Sequence, residues 1–176
     1  LTADERTKDL LDDTKDADKA LNHLNPLREY FDQPEKENVT HVRTGPDWSA
    51  FVSNWLSQWE RNQDETYLNK IKTGLNQLKK LPYRLLSGPA FEYNTETSDL
   101  IYMGTGNTNG YHMIICFGAP QVWIETANLL EDDVFKEMLA EFGKVYAMSN
   151  EEKEEYSKGQ FNDKHFALLD TVGGKH

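Results

Sequence analysis

Three short polar clusters hold the residue types that sugar binding and proton transfer would need. The first is His41-Val42-Arg43-Thr44-Gly45-Pro46-Asp47-Trp48, which sets an imidazole, a guanidinium, a carboxylate and an indole around a helix start. Arg43 can fork a carboxylate and Trp48 can stack on a ring face, so with His41 and Asp47 they suit an anionic sugar held at a helix N-terminus. The second cluster is Asn107-Thr108-Asn109-Gly110-Tyr111-His112. Asn107 and Asn109 offer both donors and acceptors to hydroxyls. Gly106 and Gly110 permit close backbone approach. Tyr111 or His112 can move a proton, His112 having the ordinary pKa closer to neutrality. The third cluster, Asn162-Asp163-Lys164-His165, again places polar residues ahead of an apolar run. Each has a plainer reading. Asp47 can simply serve the helix dipole, with Arg43 a surface charge and Trp48 part of the core. The glycine-rich run can be a turn capped by its own Asn side chains, and Lys164 and His165 can belong to an ordinary N-cap.

Other polar residues carry less. Glu125 and Gln121 lie in an apolar helical run, where Glu125 is either an acid or a solvent-facing residue. Cys116 sits between Ile115 and Phe117 with no adjacent cation, which makes it an inert core thiol. The acidic run from Asp12 to Asp18 lacks the glycine and terminal glutamate of a calcium loop, so capping and surface charge account for it. Asn38-Val39-Thr40 is a glycosylation sequon by pattern alone. The run Gly104–Gly110 has neither the Lys-Ser/Thr ending of a phosphate loop nor the strand context of a dinucleotide fingerprint. No pattern asks for a metal or a cofactor.

The elements that must position these clusters come from one domain. The chain has 176 residues, 38% hydrophobic and 11% aromatic, which suits a globular core. Its formal charge is −11, with a pI near 4.9. Such a surface repels nucleic acid and anionic membranes, while a local basic cluster can still hold an anionic substrate. One cysteine leaves no intramolecular disulfide. No apolar run has the length of a membrane span, and no targeting segment opens the chain. A start at Leu1 rather than Met suggests a processed chain or a piece of something longer.

Residues 1–33 read as helical. Thr2 and Glu5 form a capping box ahead of a modest apolar face at Leu10 and Leu11, Asp16 caps a second run through Leu24, and Asn25-Pro26 breaks it before the apolar positions Leu27, Tyr30 and Phe31. Residues 32–45 show little periodicity and read as a linker. Gly45-Pro46 then marks a helix start, and Trp48, Phe51, Val52, Trp55, Leu56 and Trp59 form a helical stripe. Asp64 caps the next helix, which ends before Pro82. Residues 85–103 read as a small β-hairpin excursion. A second helix pair follows, with Asp132 in its turn, and Pro120 either kinks its first helix or starts it. Ser149 and Glu152 then cap a charged helix, read as a surface connector, and residues 161–170 begin one more apolar helix.

The two helix pairs match at an offset of 68 residues: Trp55 with Trp123, Asp64 with Asp132, Tyr67 with Phe135, Ile71 with Leu139, and Leu78 with Tyr146. Repeated antiparallel hairpins are the mark of an α-solenoid or an α/α toroid. The expected fold class is therefore all-α, a single helical domain over residues 1–176.

GNTNGYHMIICFGAPQVWIETANLLED, HVRTGPDW and YRLLSGPAFEY together resemble the central helical domain of the exo-rhamnogalacturonan lyase-like (YetA-like) family, over roughly residues 9–170. The resemblance implies a six-hairpin α/α toroid flanked by β-domains of a longer parent chain, with this chain a partial toroid. It also implies an extracellular or periplasmic enzyme that cleaves an acidic polysaccharide by β-elimination. Elimination needs a neutralised uronate carboxylate, a base for the proton beside it, and an acid for the leaving oxygen. By chemistry and location Arg43 or Lys164 would neutralise, His112 would be the base, and Tyr111 would assist or act as acid. Two alternatives stand beside it. One is a glycoside hydrolase, which would pair Asp47 with Glu125 or Asp163. The other is a non-catalytic module that binds glycans or proteins.

Overall fold

In the computed structural model, which describes residues 5–24, 36–81, 83–87, 90–103, 118–149, 151–153 and 155–156, the aromatic stripe does line a core. Trp48, Phe51, Val52, Trp55 and Leu56 are all buried. They lie on a π-helical turn, Thr44–Trp48, that runs straight into helix α3, Ser49–Asn62. Ahead of them come α1 (Glu5–Thr14) and α2 (Ala17–Leu24). Helix α4, Glu65–Lys80, returns along α3 and contributes Tyr67, Leu68, Ile71, Leu75 and Leu78 to the same core. After the sheet come α5, Ala119–Leu129, and α6, Asp133–Tyr146. Among the described residues no helix is long and apolar enough to cross a membrane.

The 68-residue repeat extends from side chains to backbone. Asp64 Oδ1 accepts from the Thr66 amide at 2.9 Å, and Asp132 Oδ1 from the Phe135 amide at 3.0 Å. Each carboxylate satisfies an orphan donor of the first helical turn. The residues just before them, Gln63 and Glu131, are both left-handed, at φ 54° and φ 50°. In each case this reverses the chain in a tight turn. Trp55 and Trp123 are equally buried at equivalent places. The arrangement of the hairpins is less simple than their sequences. Lys79 forms an ion pair with Asp132. Lys79 lies about 22 Å along α4 from its Asp64 cap at the usual helical rise. The second hairpin's turn therefore sits by the far end of α4, not beside the first turn.

The stretch expected to be a linker contains a strand. β1 (Val39–Arg43), β2 (Ala90–Asn94) and β3 (Leu100–Tyr102) form an antiparallel sheet in that order, with His41 opposite Glu92 and Tyr93 opposite Leu100. The hairpin predicted near residues 85–103 is present as β2 and β3, and β1 widens it. Val39, Thr40 and Val42 are β-branched, and Thr40 and Val42 turn inward to complete burial on the core face. Tyr93 brings that face onto α3, its ring centroid 6.0 Å from Phe51 and 6.5 Å from Trp55. Gln77 of α4 clips the β2–β3 turn, donating to the Asp99 carboxylate and accepting from the Leu100 amide.

Four smaller expectations change or resolve. Pro120 starts α5 rather than kinking it, following Gly118 at φ 79°. Leu10 does not belong to an apolar face; it is 66% exposed. Asp18 is no surface charge: it is fully buried, bonded to Lys70 and Tyr93. The Ser149–Glu152 capping box forms in both directions, yet Tyr156 beyond it packs back onto the core. Leu27, Tyr30, Phe31 and the apolar run at 161–170 lie outside the described residues.

At Gly74 the packing is close: a Cβ there would stand 2.5 Å from Trp48 Cζ2. Gly74→Ala should therefore destabilise by about 1–3 kcal/mol, despite removing a helix-weakening glycine worth roughly 1 kcal/mol. Gly143 in α6 has no atom within 4 Å of such a Cβ, so Gly143→Ala should stabilise by up to about 1 kcal/mol. Urea denaturation checks both; equal gains from the two substitutions would sink the packing argument.

Candidate functional site

The first polar cluster folds into one place. A strand turns alternate residues to the same face, so His41 and Arg43 share the face of β1 away from Val42. The π-helical turn that follows brings Asp47 back onto Arg43. The Asp47 carboxylate accepts from Arg43 Nε at 2.8 Å and Nη2 at 2.9 Å, and its Oδ2 also accepts from the Arg43 backbone N–H at 2.8 Å. Both side chains are largely shielded from water, at 24% and 13% exposure. This is the bidentate geometry in which a guanidinium recognises carboxylates, here satisfied within the chain.

His41 is buried, opposite Glu92 in the sheet register. Desolvation pulls its pKa below the ordinary imidazole value; the Glu92 charge opposes that shift and Lys36 adds to it. The imidazole is therefore neutral near neutral pH. Lys36 Nζ reaches both Glu92 oxygens, at 2.7 and 3.0 Å. Lys36 and Glu92 thus act on a neutral imidazole, and the Arg43–Asp47 pair lies further along the same strand. Lys36 and Glu92 escaped the sequence reading. The available signal was the alternation Phe91-Glu92-Tyr93, a polar residue between two core aromatics on a strand.

Trp48 does not join this face. Its exposure is zero and its ring lies against Gly74, so no side of the indole is open for a sugar to stack on. Two adjacent residues are thus split by the helical turn, with Asp47 at the sheet and Trp48 in the core. Glu125 and Gln121 are exposed on α5, as the solvent-facing reading has it. Asn107, Asn109, Tyr111, His112, Cys116, Asp163, Lys164 and His165 lie outside the described residues. Among the described residues no three His, Cys, Asp or Glu side chains converge as metal ligands.

Comparison with known proteins gives two findings. A family model described as "PcRGLX-like protein C-terminal alpha/alpha toroid domain" matches residues 1–172. That description sets the toroid at the C-terminal side rather than centrally. A relative, "Uncharacterized protein YetA" of Bacillus subtilis (strain 168), is 55% identical over 166 residues. The match covers 94% of this chain and 19% of that protein, so the chain spans about a fifth of its relative.

The depressed His41 pKa has a consequence for stability. As pH falls, the unfolded chain protonates this residue first, at its ordinary value of 6.5, while the folded state resists. Stability from His41 is therefore present above that value and declines below it, until the folded state also titrates. His41→Gln should flatten the fall in urea midpoint between about pH 7 and about pH 5 relative to the parent. An unchanged slope in the variant would remove His41 as its source.

Proposed function

This chain belongs to the PcRGLX-like family, as its C-terminal alpha/alpha toroid domain, and from that membership we propose that it is the toroid portion of a secreted lyase acting on an acidic, rhamnogalacturonan-type polysaccharide by β-elimination. The family match across residues 1–172 carries this reading. The chain supplies part of the toroid, and flanking β-domains of a longer parent complete the enzyme.

Elimination makes three chemical demands. A cation must hold the uronate carboxylate so that the neighbouring proton becomes acidic. A base must take that proton, and an acid must protonate the departing glycosidic oxygen. Arg43 has the required fork, although Asp47 holds it, so a substrate carboxylate would have to exchange with that residue. Lys164 is the second candidate cation, His112 the base, and Tyr111 the assisting acid. Asn107, Asn109 and His165, with His41 and Asp47 on the sheet, would contact sugar hydroxyls.

The test uses the full parent protein and this chain, each incubated with rhamnogalacturonan. A lyase product absorbs in the ultraviolet because elimination conjugates a new double bond to the carboxylate. Reducing ends without that chromophore would indicate hydrolysis, and no turnover by the parent would favour a non-catalytic binding module. His112→Ala in the parent should lower elimination by roughly 100-fold or more, the usual worth of a general base. Full retained activity would remove His112 from that role.

A further inference from the structure

Helices α1 and α2 are fastened to the rest of the chain in an unusual way. Leu10 is 66% exposed, and from α2 only Ala17 and Leu21 pack partly against the core among the described residues. The remaining attachments are polar. Gln58 Nε2 donates to the Leu11 carbonyl at 2.7 Å and Asn54 Nδ2 to the Thr14 carbonyl at 3.3 Å. Arg61 reaches Asp12 at 3.4 Å, and Thr40 Oγ1 donates to the Leu21 carbonyl at 3.1 Å.

The central fastener is Asp18. It is fully buried, and its Oδ2 accepts from Lys70 Nζ at 2.7 Å and from the Tyr93 hydroxyl at 2.6 Å. Its Oδ1 is buried with no hydrogen-bond partner among the described residues. A buried carboxylate paired through one oxygen recovers less of its desolvation cost than one paired through both. The groups on the other side of the joint are better provided for. Lys70 Nζ sits 5.1 Å over the Trp55 ring, and the Tyr93 hydroxyl also meets Ser98 Oγ at 3.4 Å. If Asp18 left, water would take its place on Lys70 Nζ and on the Tyr93 hydroxyl, and would reach both of its own oxygens.

We propose that α1–α2 is a strap that opens as a unit while α3, α4 and the sheet stay folded, uncovering Gln58, Lys70 and Tyr93. Opening breaks mainly polar contacts that water can replace; at Tyr93 it bares the hydroxyl while the ring keeps Phe51 and Trp55. Segments with these properties come from the low-stability end of a domain and exchange amide hydrogens together.

Hydrogen–deuterium exchange of the full chain under native conditions tests this. Amides of residues 8–24 should exchange as one group, at least about tenfold faster than those of α3 and α4. Asp18→Asn removes the charge that Lys70 holds, and should speed that group by a further tenfold or so while α3, α4 and β2 keep their rates. Two results would overturn the proposal: strap amides that exchange only as slowly as α3 and α4, or an Asp18→Asn variant that accelerates all of them alike. Should the variant fail to fold, the unsubstituted chain's exchange pattern decides the matter.

Discussion

Trp48 lies where a side chain on residue 74 would otherwise be, and the packing of the α3 entry onto α4 depends on that contact. A glycine inside a helix costs roughly 1 kcal/mol against alanine. Here it lets a fully buried indole lie directly against α4, with an apolar area that outweighs the penalty. The contact sets how closely α3 and α4 approach. It also fixes the helical turn one residue earlier, and so the position of Asp47. Asp47 holds Arg43, and Arg43 ends β1. A packing contact in the core is thereby linked, through three residues of chain, to the polar face of the sheet.

Helix α4 works outward from the same contact. Its apolar side faces the core, and its flanks carry three polar arms to three different elements. Lys70 reaches Asp18 of α2, Gln77 clips the β2–β3 turn, and Lys79 pairs with Asp132 at the head of α6. Lys70 and Gln77 are seven residues apart, two helical turns, and so share a side of the helix. A helix used this way cannot be moved without releasing everything attached to it. The strap is the exception, since its anchor is the one left half satisfied.

Local features were legible in the sequence and remote ones were not. The stripe from Trp48 to Leu56, the caps Asp64 and Asp132, and the Ser149–Glu152 box all depend on residues within a turn or two of each other. The 68-residue repeat followed from them, and the structure extends it to the left-handed Gln63 and Glu131. β1 was missed because a five-residue strand is recognised by its partner, and β2 lies some fifty residues later. Asp18 was misread for the same reason: within its own segment it is one more acid in an acidic run, and only Lys70 and Tyr93 reveal its burial. Of the candidate site, the spacing of Arg43 and Asp47 was readable, but that the two would bind each other was not. The π-helical turn between them closes that distance, and neither residue's type encodes it.

Electrostatics narrows what the sheet face can contribute to binding an acidic polymer. The chain carries a formal charge of −11, so its long-range field opposes such a ligand. On the face itself Lys36 is paired with Glu92 and Arg43 with Asp47, so the local charges cancel. A uronate taking the Arg43 fork would trade one carboxylate for another, a near-even exchange with little net affinity. It would also leave the Asp47 carboxylate without its guanidinium partner, a changed residue beside the new ligand. Affinity would then have to come from elsewhere along the polymer, through hydroxyl contacts or through cations such as Lys164. On the proposed lyase reading, the Arg43–Asp47 pair would discriminate a carboxylate in the right geometry rather than attract one.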